Sequence, residues 1–344
     1  MKFICTCILY FFAVGTAVAQ SGPQAEDFLT AADRVEWPAG GLYDGLFDDG
    51  TRFQIQLAYP RPAGLPENVM PFAQSYWYPK HFTGMPIELK TISVSGNELH
   101  LVQQPYPSAP ALENFTVMLT PDKQSAHGAW NSVTLHKQMG FTLQRAVGYE
   151  FVAVSRPAPP EARQNDPARH FLFAAYFPLL GDAAASAWIR EQAGACDDTV
   201  ECTNTVTVAW KSHQLLSLSA TKWGYSFGAA HGNGGSVTRH YRVDNGRLQP
   251  VEFDAFVDQG PACIASVTTA IVGRLHAKDM AWADDWAKLT PVAPGKGLKF
   301  IPTASGIIFP FDPYEVGPYA QGAPAVFLTR AQLGNCLKNL PNAD

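Results

Sequence analysis

The chain is poor in charge: Asp, Glu, Lys and Arg make up 16% of it, against 47% hydrophobic residues. That ratio excludes a disordered chain, which is polar and charge-rich, and it allows a substantial core. Basic residues are no more abundant than acidic ones, 25 against 30, and no cluster of them marks a nucleic-acid surface. Beyond the first two dozen residues no run is apolar enough to span a bilayer, so no membrane span is expected after that point. Several catalytic signatures are also missing. There is no G-x-S-x-G nucleophile motif, no G-x-x-x-x-G-K-[ST] phosphate loop and no histidine pair at i, i+4 for a metal. The sequence therefore predicts no enzyme, no cofactor and no metal.

What is present begins with a leader. Met1-Lys2 is followed by an apolar run from Phe3 to Val14, and Ala17-Val18-Ala19 fits the small-x-small rule for signal cleavage. Cleavage after Ala19 would begin the mature chain at Gln20 and place it in the periplasm of a Gram-negative envelope or outside the cell. Loss of Lys2 leaves 24 basic against 30 acidic residues, a balance that favours a cationic partner. Export also sets the redox state. Cys5 and Cys7 leave with the leader, while Cys196, Cys202, Cys263 and Cys336 remain in an oxidising compartment. The short loop between Cys196 and Cys202 predicts one local bridge, which leaves Cys263 to pair with Cys336. A metal site is disfavoured, because no paired C-x-x-C or histidine partner accompanies them.

The pattern predicts an α+β protein in several parts. Residues 1–19 are the leader and 20–36 an N-terminal arm. Residues 37–147 read as a small all-β barrel or sandwich, 148–169 as a linker or extended loop, and 170–338 as an α+β domain with an antiparallel sheet and two main helices. Period-two alternation carries the first β unit, as in Arg52 to Leu57, Glu98 to Val102 and Phe115 to Leu119. The Pro-rich stretch Arg156 to Glu161 carries the linker. In the C-terminal part, Asp182 caps one helix to about Gln192. Pro261 opens another, with Ile264, Val267, Ile271, Val272 and Leu275 at helical spacing. Asp244-Asn245-Gly246 marks a hairpin between them.

Two longer motifs carry a resemblance. Trp223-Gly224-Tyr225-Ser226-Phe227-Gly228-Ala229-Ala230-His231-Gly232 precedes that hairpin, and Ser305 to Gly322 contains Phe311-Asp312-Pro313-Tyr314-Glu315-Val316-Gly317-Pro318-Tyr319. Together they resemble the extracellular C-terminal domain of the RsiV family of anti-sigma factors, a domain also attached to some peptidoglycan deacetylases. The resemblance covers about His170 to Leu333. It implies a recognition platform without catalysis, whose partner is a c-type lysozyme or another basic, cell-wall-active protein. The chain lacks a sigma-binding part and the metal motifs of a deacetylase. Pro313, Tyr314, Glu315 and Tyr319, with His231 and Tyr225, are the residues expected to meet the partner. Rigid tyrosines suit an interface, and a carboxylate suits an arginine opposite. A second reading is a peptidoglycan-binding module, with Trp77, Tyr78 or Trp130 stacking on sugars. Adjacent Asp284 and Asp285, between Trp282 and Trp286, read as solvated charge rather than as a glycosidase pair.

Overall fold

The computed structural model describes residues 33–57, 74–77, 85–104, 109–164, 166–194, 200–289 and 298–341. The expected leader and most of the N-terminal arm lie outside the described residues, as do Cys196 and Tyr78.

Eight strands follow in order: β1 (Asp33–Phe47), β2 (Arg52–Leu57), β3 (Gln74–Trp77), β4 (Ile87–Ser95), β5 (Glu98–Gln103), β6 (Glu113–Leu119), β7 (Ser125–Ser132) and β8 (Lys137–Pro157). Each pairs antiparallel with the next, and β8 returns to pair with β1, so the sheet closes into a barrel. Alternation explains the closure. In β6 every second residue is buried, and Phe115, Val117 and Leu119 point inward. The interior is filled by rings, with Phe47 and Phe53 stacked at 4.1 Å and Trp130 4.9 Å from Phe47. An eight-stranded barrel has just enough room for such side chains. Gly41 permits the seam: it sits at φ 157°, where a Cβ would lie 2.3 Å from the Val147 carbonyl oxygen.

The second half continues the same sheet. Beyond the barrel, β8 pairs through Tyr149–Pro157 with β9 (His170–Pro178), which runs parallel to β10 (Val200–Lys211). Strands β11 (Leu215–Ser226), β12 (Asn233–Asp244) and β13 (Arg247–Val251) then add in antiparallel order. Helix α1 (Ala183–Gly194) links β9 to β10, and the Asp182 carboxylate accepts the Ala184 and Ala185 amides at its start. Helix α2 (Pro261–His276) buries Val267, Ile271 and Leu275. Short α3 (Ala283–Leu289) follows, then a separate antiparallel sheet of β14 (Ile301–Pro302), β15 (Gly306–Pro310) and β16 (Ala325–Thr329), and a one-turn α4 (Arg330–Leu333).

The α+β expectation is therefore corrected. Strand occupies 51% of the described residues and helix 20%, and the described chain is mostly β, with an eight-stranded barrel, extra strands and only small helices. The two helical periodicities were real, but neither helix sets the architecture. Strands β10, β11 and β12 run 12 residues each. Their polar faces and long twisted pairing hid the continuity with the barrel from local patterning. The Pro-rich stretch belongs partly to that sheet, since Pro157 ends β8 and pairs with His170. A proline is tolerated there because it lies at a strand end.

Two staples hold the C-terminal part. Cys263 at the start of α2 is bonded to Cys336 near the chain end. Cys202 on β10 is also disulfide-bonded. His240 on β12 is buried against the Phe300 ring at 4.2 Å, and burial pushes its pKa down to about 3.

Candidate functional site

The two motifs singled out in the sequence meet in space. The first forms the β11–β12 hairpin and its loop. The second follows β15 as a loop braced from below. Asp312 accepts the Ser236 backbone N–H at 3.0 Å and its hydroxyl at 2.5 Å, which ties this loop to β12. Lys299 enters from the segment before β14 and is only 8% exposed; its ammonium lies 2.7 Å from Asp312 and also bonds Glu315. Glu315 in turn accepts the Asp312 backbone N–H at 2.9 Å. Two carboxylates share one buried cation, so the brace carries one uncompensated negative charge.

This brace holds Tyr314 in a costly backbone state. Its φ is +68°, a region bulky residues rarely adopt. Tyr314 is 45% exposed and Tyr319 36% exposed. His231 connects them. Its Nδ1 lies 2.8 Å from the Gly232 carbonyl oxygen, which can only accept, so Nδ1 carries a proton. In the neutral ring Nε2 then accepts from the Tyr314 hydroxyl at 3.0 Å. The Tyr319 ring stacks on the same imidazole at 3.8 Å between centroids, and Tyr314 and Tyr319 stand 5.5 Å apart. Three rings from two loops thus form a fixed ridge.

The ridge has neighbours that motif reading did not single out. Trp223 is 39% exposed and packs over Gly232, where a Cβ would fall 2.2 Å from the indole. Phe227, at 43% exposure, carries the Arg169 guanidinium 5.1 Å above its ring. Trp223 and Phe227 both stood in the first motif, but the register that sets Trp223 opposite Gly234 is a property of the folded sheet. Lys299 gave no signal, because its partners lie 13 and 16 residues away across a sheet.

The other expected site residues fall out unevenly. Glu315 faces inward to Lys299 and the loop backbone rather than standing free for a partner's arginine. Pro313 precedes Tyr314 in the turn and is half-buried. Tyr225 lies on β11 two residues past Trp223, opposite Glu201 of β10, and is half-buried. Trp130, expected as a sugar platform, is fully buried in the barrel and donates its indole N–H to the Glu113 carboxylate at 2.7 Å. Burial raises the Glu113 pKa, while bonds from Ser132, Trp130 and Tyr76 oppose that rise. Asp284 bonds His276 and Asp285 bonds Lys288, both on the surface, while Trp286 is buried and Trp282 is partly exposed. Among the described residues no group of three or more His, Cys, Asp or Glu is placed to hold a metal. No described helix is long and apolar enough to cross a membrane.

A protein-family model described as "Protein of unknown function (DUF3298)" matches residues 262–331. Those residues are a DUF3298 domain. It takes in nearly all of α2, then α3, the three-stranded sheet and the Tyr314–Tyr319 loop, but stops short of the β11–β12 hairpin that supplies His231 and Trp223. The aromatic ridge is thus built half from the DUF3298 domain and half from the sheet before it. Solved structures similar to the chain include a DUF3298 family protein from Pseudomonas aeruginosa PAO1, at 15% identity and a TM-score of 0.39 over 56% of this chain and 94% of that one. Another is a DUF3298 family member from Bacteroides fragilis, at 16% identity and a TM-score of 0.37 over 57% and 95%. No curated protein matches the chain.

Proposed function

We propose that this is an exported, non-enzymatic binding protein whose docking surface is the Tyr314–Tyr319–His231 ridge, with Trp223 beside it. The partner in this reading is a basic protein that acts on the cell wall, with c-type lysozyme as the test case. The observation that carries it is the exposure of two tyrosines fixed by a histidine and by a buried ionic brace. Such rings lose little conformational entropy on binding, which is what makes aromatic anchors effective. The spare negative charge at Lys299, Asp312 and Glu315 sits in the loop residues on either side of Tyr314 and complements a cationic surface. The resemblance of the same two motifs to the RsiV ectodomain points to the same class of partner.

Calorimetric titration with c-type lysozyme tests the reading. Binding should be measurable, and Tyr314→Ala should weaken it by about thirtyfold, the cost of losing an anchor worth about 2 kcal/mol. Ile92→Ala, on an exposed barrel residue, should leave it unchanged. No binding at about 100 µM would remove lysozyme as the partner. Binding that ignores Tyr314 would move the surface elsewhere.

A further inference from the structure

A second candidate site shares no lining residue with the aromatic ridge. Between the barrel and the β10–β11 turn lies an open cleft of about 700 Å³. That volume is within the roughly 300–1,000 Å³ range of small-molecule sites. Its floor is the outer face of four paired barrel strands. Tyr43, Phe53, Ala126 and Leu143 point into the barrel, so their strand neighbours point out. The register lines up Gln54, Asp44 and Gln144 in one row, and Arg52, Leu46 and His127, joined through Thr142, in the next. At about 4.8 Å between strands, such rows span roughly 14 Å.

The roof is already in place. Gln54 donates its amide to the Lys211 carbonyl oxygen at 2.9 Å, and the Lys211 ammonium reaches Asp44 at 3.3 Å. Ser212 braces the turn itself by accepting the Gln214 and Leu215 amides. A cleft shaped before a ligand arrives avoids an ordering cost on binding.

Its charge runs against that of the chain. Lys211 neutralises Asp44, whereas Arg52 is exposed and has no ion-pair partner among the described residues. The cleft therefore holds one unspent guanidinium in a protein of net charge −5. Gln144 and Thr142 are exposed on the same face two strands away, with donors and acceptors at sheet spacing, and Leu46 between them offers an apolar contact at 47% exposure. A guanidinium suits a carboxylate, side-chain amides and hydroxyls suit vicinal hydroxyl groups, and an exposed leucine suits the apolar face of a sugar ring.

We propose that this cleft binds a short oligosaccharide bearing a carboxylate, with Arg52 on the carboxylate and Gln144 on the ring hydroxyls. The test is calorimetric titration of the full chain with the disaccharide of N-acetylglucosamine and N-acetylmuramic acid, which carries a lactyl carboxylate. Chitobiose serves as the neutral sugar and lactate as the bare acid. The acidic disaccharide should bind about tenfold or more tightly than either, the loss expected for one charge-assisted bond. Arg52→Gln should bring it down to the level of chitobiose, and Gln144→Ala should weaken both sugars. Tyr314→Ala should change none of these affinities, so the cleft and the ridge succeed or fail separately. Both cleft residues are exposed, and unchanged circular dichroism checks that their variants fold. Absence of binding, equal affinity for acidic and neutral sugars, lactate binding as tightly as the disaccharide, or an Arg52→Gln variant with full affinity would each overturn the proposal.

Discussion

Replacing Lys299 with methionine isolates the brace beneath the ridge. Methionine keeps most of the apolar stem and removes the charge. The ammonium is lost from between Asp312, 2.7 Å away, and Glu315, leaving two carboxylates that are 25% and 29% exposed at the side chain. Breaking a fully buried ion pair costs about 3–5 kcal/mol. Here each carboxylate keeps some access to water and at least one N–H donor, so a discounted cost of about 2–3 kcal/mol is expected. At roughly 2–4 °C per kcal/mol this lowers the melting midpoint by about 4–12 °C. Differential scanning calorimetry reads the shift. A Lys299→Met, Asp312→Asn double variant removes one of the opposed charges and should recover part of the loss, a coupling that a cycle of the four proteins measures. A single variant within about 0.5 kcal/mol of the parent would refute the brace. So would a double variant whose losses simply add.

Three further outcomes are expected. His240 titrates at about 3 in the folded protein and near 6.5 when unfolded, so the unfolded state binds the extra proton between those values. Stability from this group is complete above about pH 6.5 and falls by up to roughly 1.4 kcal/mol per pH unit on acidification toward pH 3; urea titrations of His240→Gln should lack that slope. Gly232→Ala places a Cβ 2.2 Å from the Trp223 indole, which is exposed enough to swing away. One indole N–H resonance should therefore shift while the melting temperature moves little. Removing the Cys263–Cys336 bond by paired serines opens a loop of 73 residues' separation and should cost about 2–4 kcal/mol in urea titrations.

Much of the barrel was readable because alternation is a local property. Arg52–Leu57 was bounded to the residue, and Glu98–Gln103 and Glu113–Leu119 nearly so. The Asp244-Asn245-Gly246 turn was equally local: Asn245 and Gly246 both take positive φ, as a tight hairpin needs. Helix α2 announced itself by Pro261 and its apolar spacing. The site was half readable. The exposed tyrosines stood out as an aromatic, proline-stiffened run, yet the part Glu315 plays did not, because a carboxylate's partner is set by the fold. Trp130 misled for a similar reason: an aromatic on a strand points in or out according to a register that one strand does not declare.

By itself, then, the order of residues determined the short-range elements: alternating strands, one helix capped by Asp182 and one opened by Pro261, tight turns and the motifs that the DUF3298 domain and the hairpin contain. Only the tertiary structure decided that β8 turns back on β1 to close a barrel and then carries the same sheet on into β9 to β13, making a mostly β protein of what read as two separate textures. It alone brought His231 within 3.0 Å of Tyr314 across 83 residues and set the β10–β11 turn over the barrel wall. The physical reason is the same in each case. Local periodicity records which face a residue turns to the core, whereas the partner it meets there depends on chain segments far away in sequence.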